Sequence, residues 1–431
     1  MKKRKHPIQR RAYHATRSFL RGLRRSKNKP GENNLKNKNQ GIRVAFIYNE
    51  REPVTGADHI NQLMARALKN KGVQVRGFYP RGKLMDTPTH LRGLSNILFF
   101  HSLLEHRDQV LKHHIIQGTT YTALPFLTFN IPVISHFGST AIGFLDETPR
   151  TKDMKDGEQR FWKMLHRLGI IPELDFKTNR PLQDIADMEI LVATRATACI
   201  ATSAKVKKEL VHAGVPEKRV RVIHNAIEDY WFDTPEPPIP QEPQLVFLGR
   251  LGGDAFTLKL KGLDRLFELY NAFPDTPKTT IFMTANKRLK EWLRVAFPKH
   301  YMFVNLRKDF IPKVLHSLFG SIVFIPSRYE GFSLSLVEAM SQGLVPISYS
   351  VGVAPEIIKN GENGYIVSSI EEAQERVREL LFDKEKRITM AHAARASTEQ
   401  FRSTRIAADL LGVYLDIRTE KRNSYDSGEK K

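Results

Sequence analysis

Short apolar runs of strand character alternate with segments of helical period along most of this 431-residue chain, stop at a proline-rich stretch, and then start again. The first series is "IRVAFIYN", "VQVRGFYP", "HHIIQGT", "IPVISHFG", "ACIATSA" and "VRVIHNA"; the second is "PQLVFLGR", "TTIFMTA", "YMFVNLR", "SIVFIPSR", "LVPISYS" and "NGYIV". Strands separated by helical segments pair through crossovers, so the pattern predicts parallel sheets flanked by helices. From Ile60 to Leu68 the residues Ile60, Leu63, Met64, Ala67 and Leu68 form one apolar helical stripe, predicted to pack on the first sheet. Between the two series, Asp233 to Pro243 carries five prolines in eleven residues, which neither a helix nor a central strand tolerates. The expected fold is α/β, with two Rossmann-like domains facing across a cleft that holds the ligand at the carboxyl ends of the strands. The predicted boundaries are a basic extension over 1–40, an N-terminal domain over 41–232 and a linker over 233–243. A C-terminal domain over 244–395 follows, then helices over 396–417 that pack back on the N-terminal domain, and a polar tail over 418–431.

The net charge of +22 is concentrated at one end. Residues 1–40 hold 14 Lys or Arg against the single acid Glu32, so +13 sits there and only +9 is spread over the rest. Within this extension Ala12, Ala15, Phe19, Leu20 and Leu23 share one helical face among arginines. Two readings stay open: a helix lying on an anionic membrane surface, or a solvated basic segment. Nucleic acid is not an expected partner, because the two domains lack interleaved aromatic and basic residues. No apolar run approaches the roughly 18 residues of a membrane-spanning helix, and the basic start is not followed by the apolar core of a secretory signal. A cytoplasmic location, peripheral on the inner membrane face if the extension docks, is the expectation. The single cysteine, Cys199, excludes an intramolecular disulfide and a multi-thiolate metal site.

The stretch "RYEGFSLSLVEAMSQGLVPI", Arg328 to Ile347, places Glu330 and Glu338 eight residues apart in an apolar frame. It reads as the end of a strand, a turn over "YEGFS", and a helix that stops at Gly343. The amides at such a helix start face outward with the positive end of the helix dipole, and attract an anion. A carboxylate accepts two hydrogen bonds at once and suits a vicinal diol such as a ribose or hexose. Ser335 and Glu338 also fit the S-x-x-E capping box, which would make Glu338 a structural cap.

Continued as "SYSVGVAPEIIKNGENGYIV", the stretch resembles the donor site of GT-B fold retaining glycosyltransferases of family 4, with the E-x7-E pattern E-G-x-G/S-L-x-x-x-E-A-M-x-x-G-x-P-V-I. "VFLGRL" and "KGLDRL" are similar to the family's Arg and Lys-Gly pair, "VRVIHNAIEDYWF" to its N-G-[IV]-D segment anchored at Asn225, and "VTGADHINQLMARALKNKGVQV" to its glycine-rich first loop and helix. "IPVISHFG" is similar to its strand ending in histidine, and the likeness covers Ile42 to about Asp416. The resemblance implies that Arg250 and Lys261 hold the diphosphate of a nucleotide-sugar and that Glu338 takes the ribose hydroxyls. Glu330, with Gly331, Phe332, Ser333 and Leu334 at the turn and helix start, would position the transferred sugar. Gly56 would let the backbone approach from the N-terminal domain, and His136 would lie near the reacting face. Ten residues separate Arg250 from Lys261 where the family has about five, so Lys259 is an alternative to Lys261. Residues 148–185 are longer than a simple crossover needs and are a candidate for acceptor specificity.

Glycosyl transfer requires charge stabilised on a departing diphosphate. The sequence has no Asp-x-Asp and no His-x-His, so two cations and a helix start are expected to replace a metal, with no cofactor. The expected partners are a nucleotide-sugar donor and a glycan or lipid-linked acceptor, in bacterial lipopolysaccharide or capsule synthesis. The alternatives are a soluble transferase making a storage glucan or small glycoside, and a non-catalytic GT-B protein that binds nucleotide-sugar or scaffolds a partner.

Overall fold

The computed structural model describes residues 41–49, 51, 56–80, 92–235, 242–297 and 299–428. The basic extension, the centre of the proline-rich linker, the Val54–Thr55 part of the first loop and the last three residues of the expected tail lie outside the described residues. All twelve apolar runs are strands. The first series forms β1 (Arg43–Ile47), β2 (Gln74–Phe78), β3 (Ile115–Thr119), β4 (Val133–Phe137), β5 (Ala198–Ala201) and β6 (Val220–Val222). The second forms β7 (Leu245–Arg250), β8 (Lys278–Met283), β9 (His300–Val304), β10 (Ile322–Ile325), β11 (Val345–Tyr349) and β12 (Tyr365–Val367).

Each series closes into its own sheet, ordered β2-β1-β3-β4-β5-β6 and β12-β11-β10-β7-β8-β9. Every pairing is parallel. Helices cover both faces, which explains why β3, β4, β5, β10 and β11 are buried at every residue. The helix Gly56–Asn70 buries the whole predicted stripe of Ile60, Leu63, Met64, Ala67 and Leu68. No helix among the described residues is long and apolar enough to cross a membrane.

Two segments cross between the domains, in opposite directions. From the C-terminal side, the helix Ser403–Gly428 lays Ile406, Leu410, Tyr414 and Ile417 into the core around β1 and the helix Gly56–Asn70, and Tyr414 donates to Gln117 Oε1. This helix runs on to Gly428, past Arg418 where the sequence reads as a polar tail. A docked helix has already met its nucleation cost, and the Glu, Lys and Arg that follow are good helix formers.

From the N-terminal side comes an arm, Thr148–Asn179. The turn before its helix Asp156–Arg167, the helix itself and the turn after it place Met154, Phe161, Trp162, Leu165, Ile170 and Ile171 in the core of the second domain. The boundary predicted at 232 therefore separates the two sheets but not the two packing units. Charge fixes the position of the arm as well as apolar packing does its burial. Lys259 is only 1% exposed, and its ammonium donates to Asp175 Oδ1 (2.6 Å), Thr151 Oγ1 (2.9 Å), and the carbonyls of Leu174 (3.1 Å) and Pro149 (3.3 Å). Trp162, fully buried, lies beneath that ammonium. We expect Trp162→Ala to cost about 3–5 kcal/mol in urea unfolding of the C-terminal domain. A change under 1 kcal/mol would mean that the arm is not part of that core.

Candidate active site

In the second sheet, β7 lies between β10 and β8, so the chain winds away from it in both directions. Loops leaving β7 and β10 diverge there and open a crevice at the strand ends, the usual ligand position in such sheets. Arg250 closes β7 at its edge. It is exposed and makes no hydrogen bond or ion pair to another described residue. The loop after β10 carries Ser327, Arg328, Tyr329 and Glu330. Lys261 Nζ donates to Glu330 Oε1 at 2.6 Å, and Ser327 Oγ donates to the same oxygen at 2.8 Å. Lys261 and not Lys259 therefore stands at the crevice, since the Lys259 ammonium is committed to the arm. Gly262 is required beside it: its φ is +65°, and a Cβ there would lie 2.0 Å from Pro326 O.

The turn 331–333 is shaped by contact with the other domain. A Cβ on Gly331 would fall 1.9 Å from Gly138 O, just beyond β4, and Gly331 O accepts from Ser203 Oγ at 2.6 Å. Phe332 turns its ring inward against Phe401 and His224. Ser333 takes a left-handed backbone (φ +81°), unusual for a residue with a Cβ, and starts the helix Leu334–Ser341 without a side-chain cap. Its hydroxyl is buried and has no hydrogen-bond partner. A strained, unpartnered donor at an uncapped helix start is suited to an incoming anion. Across the cleft, Gly56 begins its own helix, and a Cβ on it would meet Leu334 Cδ1 at 3.4 Å.

Glu338 does not form the capping box. The helix begins after Ser333, so Ser335 is already inside it and the third helical position is Leu336. The Glu338 carboxyl, 8% exposed, instead lies 3.8 Å from Lys308 Nζ, which pairs with Glu228 at 2.9 Å. Lys308 and Glu228 carry no motif of their own; they become site residues only because the loop after β9 and the interdomain segment meet beside Glu338. His136, at the end of β4, is buried, and burial alone holds its imidazole down to about 4, so it is neutral near pH 7. Its Nδ1 has no partner, and it shares a small internal pocket with Asn61, Gln117, His224 and Asn225.

Sequence reasoning missed Tyr329 as a residue that shapes the site. Its hydroxyl reaches into the N-terminal domain, accepts from Thr140 N (3.1 Å) and donates to Glu209 Oε2 (2.8 Å), and its ring fills the space beside Gly143. Glu356 adds a second bridge, accepting from Ala204 N and pairing with His224. Its only sequence signal was its place in "APEII".

Burial pushes the Glu338 carboxyl up from 4.5 to about 7, against the pull of Lys308. Between those two values the folded state holds a proton that the unfolded state has released. The contribution to stability is therefore complete below pH 4.5 and is lost as the pH rises through about 7. We expect Glu338→Gln to melt higher than the unsubstituted protein above pH 7 and alongside it below pH 4.5. Parallel melting curves across the whole range would remove Glu338 as the buried acid.

The description "Glycosyl transferases group 1" is that of the family model matching residues 231–397. Among curated proteins, 107 residues are 34% identical to N-acetyl-alpha-D-glucosaminyl L-malate synthase of Bacillus anthracis, covering 24% of this chain and 28% of that one. A 222-residue stretch is 26% identical to sulfoquinovosyl transferase SQD2 of Arabidopsis thaliana, covering 48% and 42%. The chain thus spans less than half the length of these relatives. Solved structures align over much more. Sucrose-phosphate synthase of Thermosynechococcus elongatus superposes with a TM-score of 0.67 at 15% identity, over 88% of this chain and 100% of that one. Anabaena HepE in complex with UDP-glucose superposes at 0.58 with 16% identity, over 86% and 100%. WaaG, a glycosyltransferase involved in lipopolysaccharide biosynthesis, superposes at 0.61 with 16% identity, over 86% and 99%. The chain has the two-domain GT-B fold, and its residues 231–397 match the glycosyl transferases group 1 family model.

Proposed function

We propose that this protein is a retaining, metal-independent glycosyltransferase that moves a sugar from a nucleotide-sugar to a glycan or lipid-linked acceptor. The observation that carries this reading is the convergence, at the switch point of the second sheet, of the Lys261–Glu330 pair with the uncapped helix start at Ser333. Arg250, which has no other described partner, and Lys261 bind the diphosphate, assisted by the Ser333 hydroxyl and the first helix amides. Glu338 accepts the ribose hydroxyls, and Glu330 orients the sugar with the backbone of Gly331 and Phe332.

As the bond from C1 to the diphosphate oxygen breaks, its electron pair passes to that oxygen, where the fixed cations stabilise it. The acceptor hydroxyl oxygen bonds C1 from the same face, and its proton passes to the leaving phosphate. No side-chain nucleophile is needed. On this reading neutral His136 acts near the reacting face from the N-terminal domain. The likeness to WaaG supports a place in surface-polysaccharide synthesis, with residues 1–40 docking the enzyme on the inner membrane face.

The test is a thermal-shift screen with UDP-, GDP-, ADP- and CMP-sugars, with and without EDTA, followed by transfer assays. We expect one donor to stabilise the protein equally with EDTA, and Glu330→Gln to lower transfer about 100-fold while donor stabilisation persists. Glu338→Ala should weaken nucleotide binding about tenfold or more, the value of a charge-assisted hydrogen bond. Unchanged turnover in Glu330→Gln, or a metal requirement, overturns the mechanism.

A further inference from the structure

The arm does more than brace the second domain. Between its helix Asp156–Arg167, the helix Leu263–Ala272 and the start of the helix Ile370–Phe382 lies a groove of about 750 Å³. We propose that this groove is a carbohydrate subsite that takes sugar residues of the acceptor; the inference rests on the glycosyltransferase reading above.

Its floor is aromatic. Phe161 of the arm and Phe267 of the C-terminal domain meet with ring centroids 5.0 Å apart, and Arg265 lies between the groove and a third ring, Tyr349, at 3.8 Å. The rim carries unused hydrogen-bonding capacity of both kinds. Glu268 offers acceptors, Arg160 and Arg167 offer donors, and Asn271 offers both. None of the four side chains makes a hydrogen bond or ion pair to another described residue.

This combination selects among ligands. A pyranose presents an apolar C–H face to an aromatic floor and a ring of hydroxyls, each donor and acceptor, to a mixed rim. Four acids of the lining, Glu158, Asp264, Glu268 and Glu371, balance its four cations, Lys155, Arg160, Arg167 and Arg265, so the groove has no net positive charge to hold a nucleoside diphosphate. No group of three or more His, Cys, Asp or Glu that could hold a metal ion stands together among the described residues. A purely apolar partner would leave the rim groups buried and unpaired.

The groove is also in the right place. Its wall residue Arg265, stacked 3.8 Å over the Tyr349 ring, donates to Pro326 O at 3.2 Å. The next residue, Ser327, donates to Glu330. The groove and the donor carboxylate thus flank the single segment 326–330. This gives the extra length of the arm a purpose: the arm supplies one aromatic wall and the two rim arginines, Arg160 and Arg167, of a site that the C-terminal domain alone would leave open.

The test is saturation-transfer NMR on the full chain with maltose, lactose, cellobiose and chitobiose at millimolar concentration, in the presence and absence of UDP and GDP. We expect transfer to at least one disaccharide, undisplaced by nucleotide, with affinity about tenfold lower in Glu268→Ala and in Asn271→Ala. Both positions are exposed, and unchanged circular dichroism and nucleotide melting shifts establish that the fold is kept. No saturation transfer, displacement by nucleotide, or equal affinity in both variants overturns the groove as a sugar site. The two readings fail separately. If no nucleotide stabilises the unsubstituted protein, the donor site is wrong, whereas nucleotide binding without sugar binding removes the groove alone.

Discussion

A guanidinium leaves water only where opposite charge and hydrogen-bond acceptors replace its hydration, and Arg328 meets that demand on every side. Its two terminal nitrogens grip Asp264 at 2.8 and 2.6 Å, reach Glu158 of the arm at 2.9 Å, and donate to Lys259 O at 3.0 Å. Burial works against the charge, but these partners outweigh it and hold the guanidinium firmly protonated. Arg328 lies two residues before Glu330 and directly before Tyr329. The loop that presents Glu330, and the tyrosine that enters the other domain, are therefore anchored at one buried ion cluster.

Such clusters are weak contributors to net stability and strong contributors to geometry. Removing two charges from water costs several kcal/mol, and their attraction roughly offsets it; losing one partner leaves a buried charge unmatched. The Lys259–Asp175 contact has the same character, and together the two networks join the arm to the C-terminal domain through charge of both signs. What they secure is register. The turn at Gly331 has to pass the backbone of Gly138 with no room for a side chain, so a small rotation of the loop would lose the approach.

The reciprocal exchange of segments follows from the same requirement. A cleft between two sheets is useful only if the sheets keep their orientation, and one linker is a poor constraint on orientation. Here the helix Ser403–Gly428 returns to the first domain while the arm reaches into the second, and Tyr329 and Glu356 of the second domain bond to the first. The site thus sits among these cross-domain connections, with the Ser203 bond to Gly331 O beside them.

By itself the sequence determined the twelve strands, their parallel pairing and the division into two sheets, because burial on both faces of a parallel sheet writes a local apolar run at each strand. It also marked Glu330, Glu338 and the helix start between them, since a turn and a helix terminus are local features. Only the tertiary structure put Lys261 and not Lys259 beside Glu330, excluded the capping box at Ser335, and moved the arm from one packing unit to the other. Each of these depends on a partner far along the chain, such as Glu158 for Arg328, 170 residues away. Periodicity and spacing describe what a residue does to its neighbours in sequence; which charge neutralises a buried lysine or arginine is settled by which elements the fold brings together.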